Sequence, residues 1–525
     1  MYRCLWRMAV ILFIWLGVMM QDLLQAEYFL GPDEEDFYEA IEDSLAQLET
    51  GTSQVPRVYR FLLRVGSDSL AGGTVGTRGF ARLRGYTERR DLVLLIDKDK
   101  GESDLVDFIG GGVSFTNDKW RLSVGDFLVS FGRGLILTAP SLRAGFRWNL
   151  IIELKGSLAQ TAQENRNLRG IRLDYSSGSF GTAVFGSYAL RDALLNPDGT
   201  VYKLSFSGVH DRSSIVNKVG QKLVGGFGNY QFKKIKIGGA GYWIKYDAQF
   251  SPPDSLWSFY GQTLGVLSCY FGLGNAFRFW EMEVARSSSG AMAAGVQVGL
   301  DTVGIRARVS GTVYQARFFS PAGRVYSLTG RHTRFDLNGK IDYKLKPFYF
   351  RLEGNTQRDY QADSIPARID VAAGFENNKI QIRCFLGRIY RMEQERYRRA
   401  RVEVNIKLSR TEIGLLIEDR YADFSDGQGV LIGLNTGVKI AGFGCDLVVS
   451  RFIILGSGVL MTVPEPGTMR LISGYSSRES GWRFACASYL RSRMGKWLGF
   501  KFGVSKTAVW KFDLSGQLEL EAQCD

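Results

Sequence analysis

The sequence predicts an all-β protein, a large antiparallel up-and-down transmembrane β-barrel of about 22 to 24 strands with a short N-terminal helix before it. Three observations predict it. Apolar and polar residues alternate with period two from about Arg57 to the end of the chain, and short links alternate with long ones between these runs. The chain also opens on a segment patterned like an export signal.

The alternation can be followed run by run. Successive side chains of a strand point to opposite faces. In the segment 508–522, Trp510, Phe512, Leu514, Leu518 and Leu520 share one face, while Lys511, Asp513, Ser515, Gln517, Glu519 and Glu521 share the other. In 302–313, Val303, Ile305, Ala307, Val309, Gly311 and Val313 alternate with Thr302, Gly304, Arg306, Arg308, Ser310 and Thr312. Segments 334–345 and 399–409 divide in the same way, and similar runs recur near 169, 222, 234, 348, 367, 380 and 443.

The links alternate too. Tight ones such as SSGS at 176, FKK at 232, KLKP at 344, ENNK at 376 and SRT at 409 read as hairpin turns. Long ones include RDALLNPDGT at 191, DAQFSPPDSLWS at 247, QARFFSPAGRVYSLTGR at 315 and QRDYQADSIP at 357. Short turns on one rim and long loops on the other are the pattern of a membrane barrel. A propeller would repeat every 40 to 50 residues or so, and no such repeat is visible. Stacked sheets would leave edges to protect, whereas a closed barrel leaves none, so lipid is the expected partner of the apolar face.

At the N-terminus, Arg3 and Arg7 precede an apolar run from Met8 to Met20, and Leu24-Gln25-Ala26 supplies a small residue at a cleavage point. The run is short against the roughly 20 residues of a spanning helix, so it reads as a signal peptide. Residues 32–49 carry Phe37, Ile41, Leu45 and Leu48 at helical spacing with acidic residues toward the start. The expected organisation is therefore a signal peptide at 1–26, a short acidic helical segment at 27–55 and a barrel at 56–525.

Composition fits this reading. The chain has 525 residues, 45% hydrophobic and 23% charged, with 62 Gly and 11 Pro, which excludes extended disorder. Its mean hydropathy of −0.08 argues against helical membrane spans but is what two alternating faces average to. The formal charge of +13 falls by one when residues 1–26 are removed, leaving a strongly basic chain. Cys269, Cys384, Cys445, Cys486 and Cys524 are widely spaced and form no metal or disulfide pattern. With two His, His210 and His332, and no nucleophile elbow or phosphate loop, the chain is not expected to be an enzyme. No metal and no cofactor are expected.

Two stretches look least like generic strand. DKDKGESD places Asp97, Asp99, Glu102 and Asp104 together but lacks the remaining ligands of a calcium loop, so it reads as a hairpin turn. In GDFLVSFGRGLIL a strand ends at Gly125-Asp126. Phe127, Val129 and Phe131 follow on one face, and at Gly132 and Gly134 the backbone can bend or approach another segment. Phe127, Phe131, Gly132, Arg133 and Gly134 are therefore candidate constriction residues. These stretches, with NLRGIRLDY at 167–175 and the GTAVFGSYAL that follows, resemble the outer-membrane barrels encoded in Bacteroidetes-type genomes as helix-hairpin-helix domain proteins. The resemblance covers residues 57 to 300: an acidic turn, a Gly-Asp strand with a phenylalanine-glycine-x-glycine-leucine core, and an arginine-glycine strand. It implies a barrel after a DNA-binding module. Residues 27–55, however, hold no paired helices around a Gly hairpin, so nucleic acid is not an expected partner.

The function expected is a channel or transport barrel with a basic lumen, in the outer membrane of a Gram-negative-type bacterium. The alternatives are a non-conducting surface-binding or structural protein whose lumen is blocked by the segment Gly125 to Leu137, or, by family analogy, part of a DNA-uptake system. Arg306, Arg308, Lys340, Lys344, Arg351, Arg368, Arg383, Arg401 and Lys407 alternate with apolar residues and are the candidate lumen-lining bases, tempered by Asp336, Asp342, Glu353, Asp370 and Glu403. The run RIYRMEQERYRRARVEV at 388–404 reads as a wet loop entering a strand, or as a site for a polyanion such as a nucleic acid or lipopolysaccharide phosphates. Expected partners are outer-membrane lipid, the barrel-assembly machinery and an anionic solute or polyanion, although the ending LELEAQCD lacks the terminal aromatic that many such barrels carry.

Overall fold

Alternating segments have become antiparallel strands, each paired with the next along the chain. The computed structural model describes residues 57–69, 75–98, 106, 108–138, 158–159, 167–204, 219–252, 259–275, 277–315, 317–323, 333–359, 367–377, 379–390, 396–409, 411–422, 427–440, 443–455, 461–463, 475–477, 480–491, 497–506 and 510–524. The expected signal peptide and N-terminal helix lie outside these residues, as do His210, His332, Asp99, Glu102 and Asp104.

Among the described residues one sheet holds 26 strands, of which 24 form a continuous wall and the other two are a short hairpin, Ala193–Leu195 with Val201–Leu204. The wall closes because its first strand, Arg57–Ser69, pairs on one side with Val75–Tyr86 and on the other with the last strand, Trp510–Cys524. Every neighbouring pair in the wall is antiparallel, so no edge is left unpaired. The fold is a transmembrane β-barrel, as the alternation predicts.

Burial sorts the two faces. In the neighbouring strands Met292–Thr302 and Ile305–Tyr314, Val296, Val298, Val309 and Val313 are exposed, whereas Gln297, Arg308, Ser310 and Thr312 are buried. The apolar residues face out and the polar ones face in. Soluble monomers rarely carry apolar patches beyond a few hundred Å2, so an outward band of this kind needs an apolar surrounding. Tight turns such as 233–234, 303–304 and 346–347 fall on one rim, and the longer links fall on the other.

A wall of 24 strands encloses more space than its own side chains fill, since barrels of 16 to 18 strands already leave a channel and those of about 22 carry a plug. In one half of this barrel that space is occupied. Buried side chains there form one apolar cluster that includes Phe127, Phe131, Phe185, Phe227, Tyr270 and Phe319. The short hairpin belongs to it: Ala193, Val201 and Leu204 are buried, so the long link expected at 191–200 is structured and folds inward.

Candidate functional site

After the strand Trp120–Phe127 the chain turns into the barrel, and every residue from Leu128 to Thr138 is buried. The turn inward begins at Gly125, whose φ of +108° and whose 2.3 Å approach of the Gly111 carbonyl oxygen to any added Cβ admit only glycine. Asp126 follows. Its carboxylate accepts from the Gly111 amide at 2.8 Å and from Arg169 Nε and Nη2 at 2.7 and 2.9 Å.

The buried segment then reverses on itself, with the Gly134 amide donating to the Phe131 carbonyl at 2.9 Å and the Phe131 amide to Leu137 at 3.0 Å. The Phe131 ring lies 5.6 Å from that of Phe227 and 6.2 Å from that of Tyr270. The strand Arg278–Ser287 grips the reversal from the wall. One oxygen of Glu283 accepts from the backbone amides of Arg133 and Leu135, at 2.6 and 3.2 Å. Glu281, on the same face, accepts from Tyr270 Oη at 2.9 Å and stands 4.0 Å from the Arg133 guanidinium. Arg172 adds a bond to the Leu128 carbonyl at 2.5 Å.

A second inward link locks the first. Phe318, Phe319 and Ser320 are buried; Ser320 Oγ donates to the Ile136 carbonyl at 3.2 Å and lies 2.7 Å from Tyr242 Oη. The Thr138 amide donates to Ala322 at 2.9 Å, and a Cβ on Gly323 would meet the Leu135 carbonyl oxygen at 2.1 Å. Phe319 also stacks on Phe259 at 5.5 Å. Phe131, Gly132, Arg133 and Gly134 therefore belong to one packed inward element, and Phe127 ends the strand that leads into it; Phe127 and Phe131 are fully buried.

The far wall differs in character. Running round the barrel in register, Arg308 faces Lys340, Lys340 faces Glu353 and Glu353 faces Asp370. Lys340 pairs with Glu353 at 3.3 Å, Arg351 with Asp342 at 2.5 Å and Arg306 with Asp301 at 2.8 Å. Arg308 is buried over the Phe279 ring at 4.7 Å. Further round, the buried carboxylate of Glu418 receives Arg399 at 2.8 Å, Arg401 at 3.7 Å and Arg420, while Arg401 also bonds Glu403 and Arg383 lies 4.0 Å from Glu403. Four guanidiniums thus share two carboxylates, an excess of two positive charges among these six groups.

The structure separates the sequence's basic candidates. Arg308, Lys340, Arg383 and Arg401 sit on the inner wall; Arg306, Lys344 and Arg351 are on the same parity but exposed near the tight-turn rim; Lys407 is half-buried; the side chain of Arg368 lies outside the described residues. Among the described residues Arg306, Lys340, Arg351, Arg383 and Arg401 make ion pairs, and the positive excess seen there lies at the Glu418 cluster. Sequence reasoning missed Glu281 and Glu283, although their spacing of two in RFWEMEVARS puts both on one strand face. Among the described residues no three His, Cys, Asp or Glu stand together as a metal site requires.

No family model matches the chain, and no curated relative does. Solved barrels are similar in structure. An Escherichia coli P pilus tip assembly intermediate containing the usher PapC matches with a TM-score of 0.51 at 8% identity, covering 90% of this chain and 61% of that one. The siderophore receptor PirA from Acinetobacter baumannii matches at 0.41 and 7% identity over 89% and 81% of the two chains. OccK3 from Pseudomonas aeruginosa matches at 0.33 and 9% over 91% and 98%. At such identity the likeness is one of fold, the large antiparallel barrel.

Proposed function

We propose that this chain is an outer-membrane transport barrel with no chemistry of its own, whose solute path runs between the packed inward element and the charged far wall. The observation that carries the reading is the division of the interior: Leu128–Thr138 is clamped to one side by Glu283, while Arg383, Arg399 and Arg401, partly exposed and held by Glu403 and the buried Glu418, line the other. The partly exposed guanidiniums of Arg383, Arg399 and Arg401 suit an anionic guest. The outward apolar band and the similarity to outer-membrane barrels in fold support the location.

Reconstitution in a planar bilayer tests it. A barrel that passes current only when Glu283→Gln loosens the inward element is a gated channel. One that never conducts, with or without that change, is the non-conducting structural protein that complete burial of Leu128–Thr138 also favours. Membership of the helix-hairpin-helix-associated barrel family stays a proposal, supported by the meeting of its Gly-Asp and Arg-Gly strands at Asp126 and Arg169. A role in DNA uptake stays an alternative that rests on family analogy alone.

A further inference from the structure

The tight-turn rim carries a feature the transport reading does not use. Its consecutive turns at 178–179, 233–234, 275–277, 303–304 and 346–347 form an arc on which Lys233, Lys234, Lys344, Lys346 and Arg278 are exposed and Lys236 is half-buried. The carboxylates along this arc have partners: Asp174 binds Arg172, Asp301 binds Arg306 and Asp342 binds Arg351. At its two borders Asp118 shares its turn with Lys119, and Glu376 shares its turn with Lys379. With these acids counted, the arc keeps the positive charge of its lysines and Arg278. Two exposed apolar side chains sit in the middle of it. Phe277 is 64% exposed and Val303 fully so, at the tips of adjoining turns where the Asp301 amide donates to the Phe277 carbonyl at 2.6 Å.

The chain itself brings the opposite charge to the same rim. Residues 27–55 contain no Lys, Arg or His; the run Asp33 to Asp36 is followed by Glu39, Glu42 and Asp43, and Phe37, Ile41, Leu45 and Leu48 recur at helical spacing. This segment joins the barrel at Arg57, and Arg57 stands on the tight-turn rim because Val58 pairs with Tyr86, the residue before the turn at 87–89. Its reach is sufficient. Strands ~4.8 Å apart and tilted by ~40° make a wall of 24 about 150 Å round and ~50 Å wide. A helix over 32–49 is ~27 Å long and an extended 50–56 adds ~23 Å, which carries the acids of 33–43 across the mouth to the arc.

We propose that the acidic segment 27–55 docks on this basic arc, its carboxylates against Lys233, Lys234, Lys344 and Lys346 and its apolar stripe against Phe277 and Val303. The two surfaces match in both respects: each sets an apolar patch among charges, and the charges are of opposite sign. The covalent tether at Arg57 makes the encounter intramolecular, at an effective concentration that a short linker places in the millimolar range. The inference rests on the closure and register of the barrel and not on conduction, so a barrel that never opens leaves it standing.

The test is amide hydrogen exchange of the full-length exported barrel in detergent, read by mass spectrometry on peptides from 27–55. At low salt, exchange in 33–48 should become about tenfold faster in Lys233→Gln/Lys234→Gln/Lys344→Gln/Lys346→Gln, shown to be folded by unboiled-gel mobility. Raising salt to 1 M, which shortens the Debye length to about 3 Å, should speed it in the unaltered protein as well. Arg286→Gln, exposed near the opposite rim, should leave the exchange as it is. Exchange in 33–48 that ignores either the lysine changes or the salt would overturn the assignment. So would an equal effect of Arg286→Gln, or protection that grows with protein concentration, which would give the arc to a second copy's segment.

Discussion

The carboxylate of Asp126 and the guanidinium of Arg169 form a two-point ion pair, at 2.7 and 2.9 Å, across 43 residues of chain. Asp126 is almost fully buried and Arg169 half exposed, so Arg169 works as a lid that also donates to the Ile109 carbonyl at 2.9 Å. The pair ties the strand before the inward element to the strand after it, at the point where Gly125 lets the chain turn into the barrel.

Removing one partner should be costly and non-additive. Breaking a buried pair costs about 3–5 kcal/mol because the remaining charge is stranded, and the exposure of Arg169 lowers that figure. Arg169→Gln and Asp126→Asn should each lower the temperature at which the folded band disappears on gels. The double variant should lose little beyond the worse single, and strictly additive losses in the cycle would mean the pair is not coupled.

Glu283 makes a separate prediction about the inward element. It holds the Arg133 and Leu135 amides, and Gly132 packs against it with a φ of +55°, where a Cβ would come within 2.9 Å of Glu283 Oε2. Glu283→Gln turns a charged acceptor into a neutral one and should cost about 1–2 kcal/mol of the grip. Gly132→Ala should act in the same direction through strain and contact. Both variants should show more frequent openings in single-channel records while the wall stays folded; unchanged records from both would separate the inward element from conduction.

How much of this was readable in advance depends on the range of each contact. The period-two pattern placed Val309 outside and Arg308 inside because facing is a local property of a strand. The special character of GDFLVSFGRGLIL was also readable, since Gly132 and Gly134 are a local signal. Its partner was not: Glu283 lies 150 residues from Arg133, and nothing local to either encodes the meeting. Charge pairing failed for the same reason. Arg399 and Glu418 meet only once strand register is known, so the sequence did not reveal which basic residues share a carboxylate. In the 388–404 run, strand structure continues to Tyr390 and resumes at Arg396, which turns Arg388 and Arg398 outward instead of leaving them in a loop.

Facing can be tested directly on the strand Ile305–Tyr314. Val309 is 55% exposed and lies four residues from the tight-turn end, near the middle of the apolar band. Arg there should cost about 2–4 kcal/mol, whereas Arg306→Gln, on the inner parity and paired with Asp301, should assemble normally. Folded-form mobility on unboiled gels reads both, and equal assembly of the two variants contradicts the assignment of faces.

Selectivity follows from where the unbalanced charge lies. Arg383, Arg399, Arg401 and Arg420 share Glu403 and Glu418, so this stretch of inner wall is cationic while the rows through Lys340–Glu353 and Arg351–Asp342 are balanced. A cationic patch beside a low-dielectric wall concentrates anions, and the effect weakens as salt shortens the Debye length to about 10 Å at 0.1 M. An open barrel should therefore prefer anions, more strongly at low salt. Arg383 is the group to change, because its side chain is 40% exposed and its contact with Glu403 is long, at 4.0 Å. Arg383→Gln should reduce the anion preference measured from reversal potentials across a salt gradient without loss of folded protein. Lys344→Gln, near the tight-turn rim and exposed, should change it less. A cation-selective wild type, or equal shifts from both variants, would place the solute path away from the Glu418 cluster.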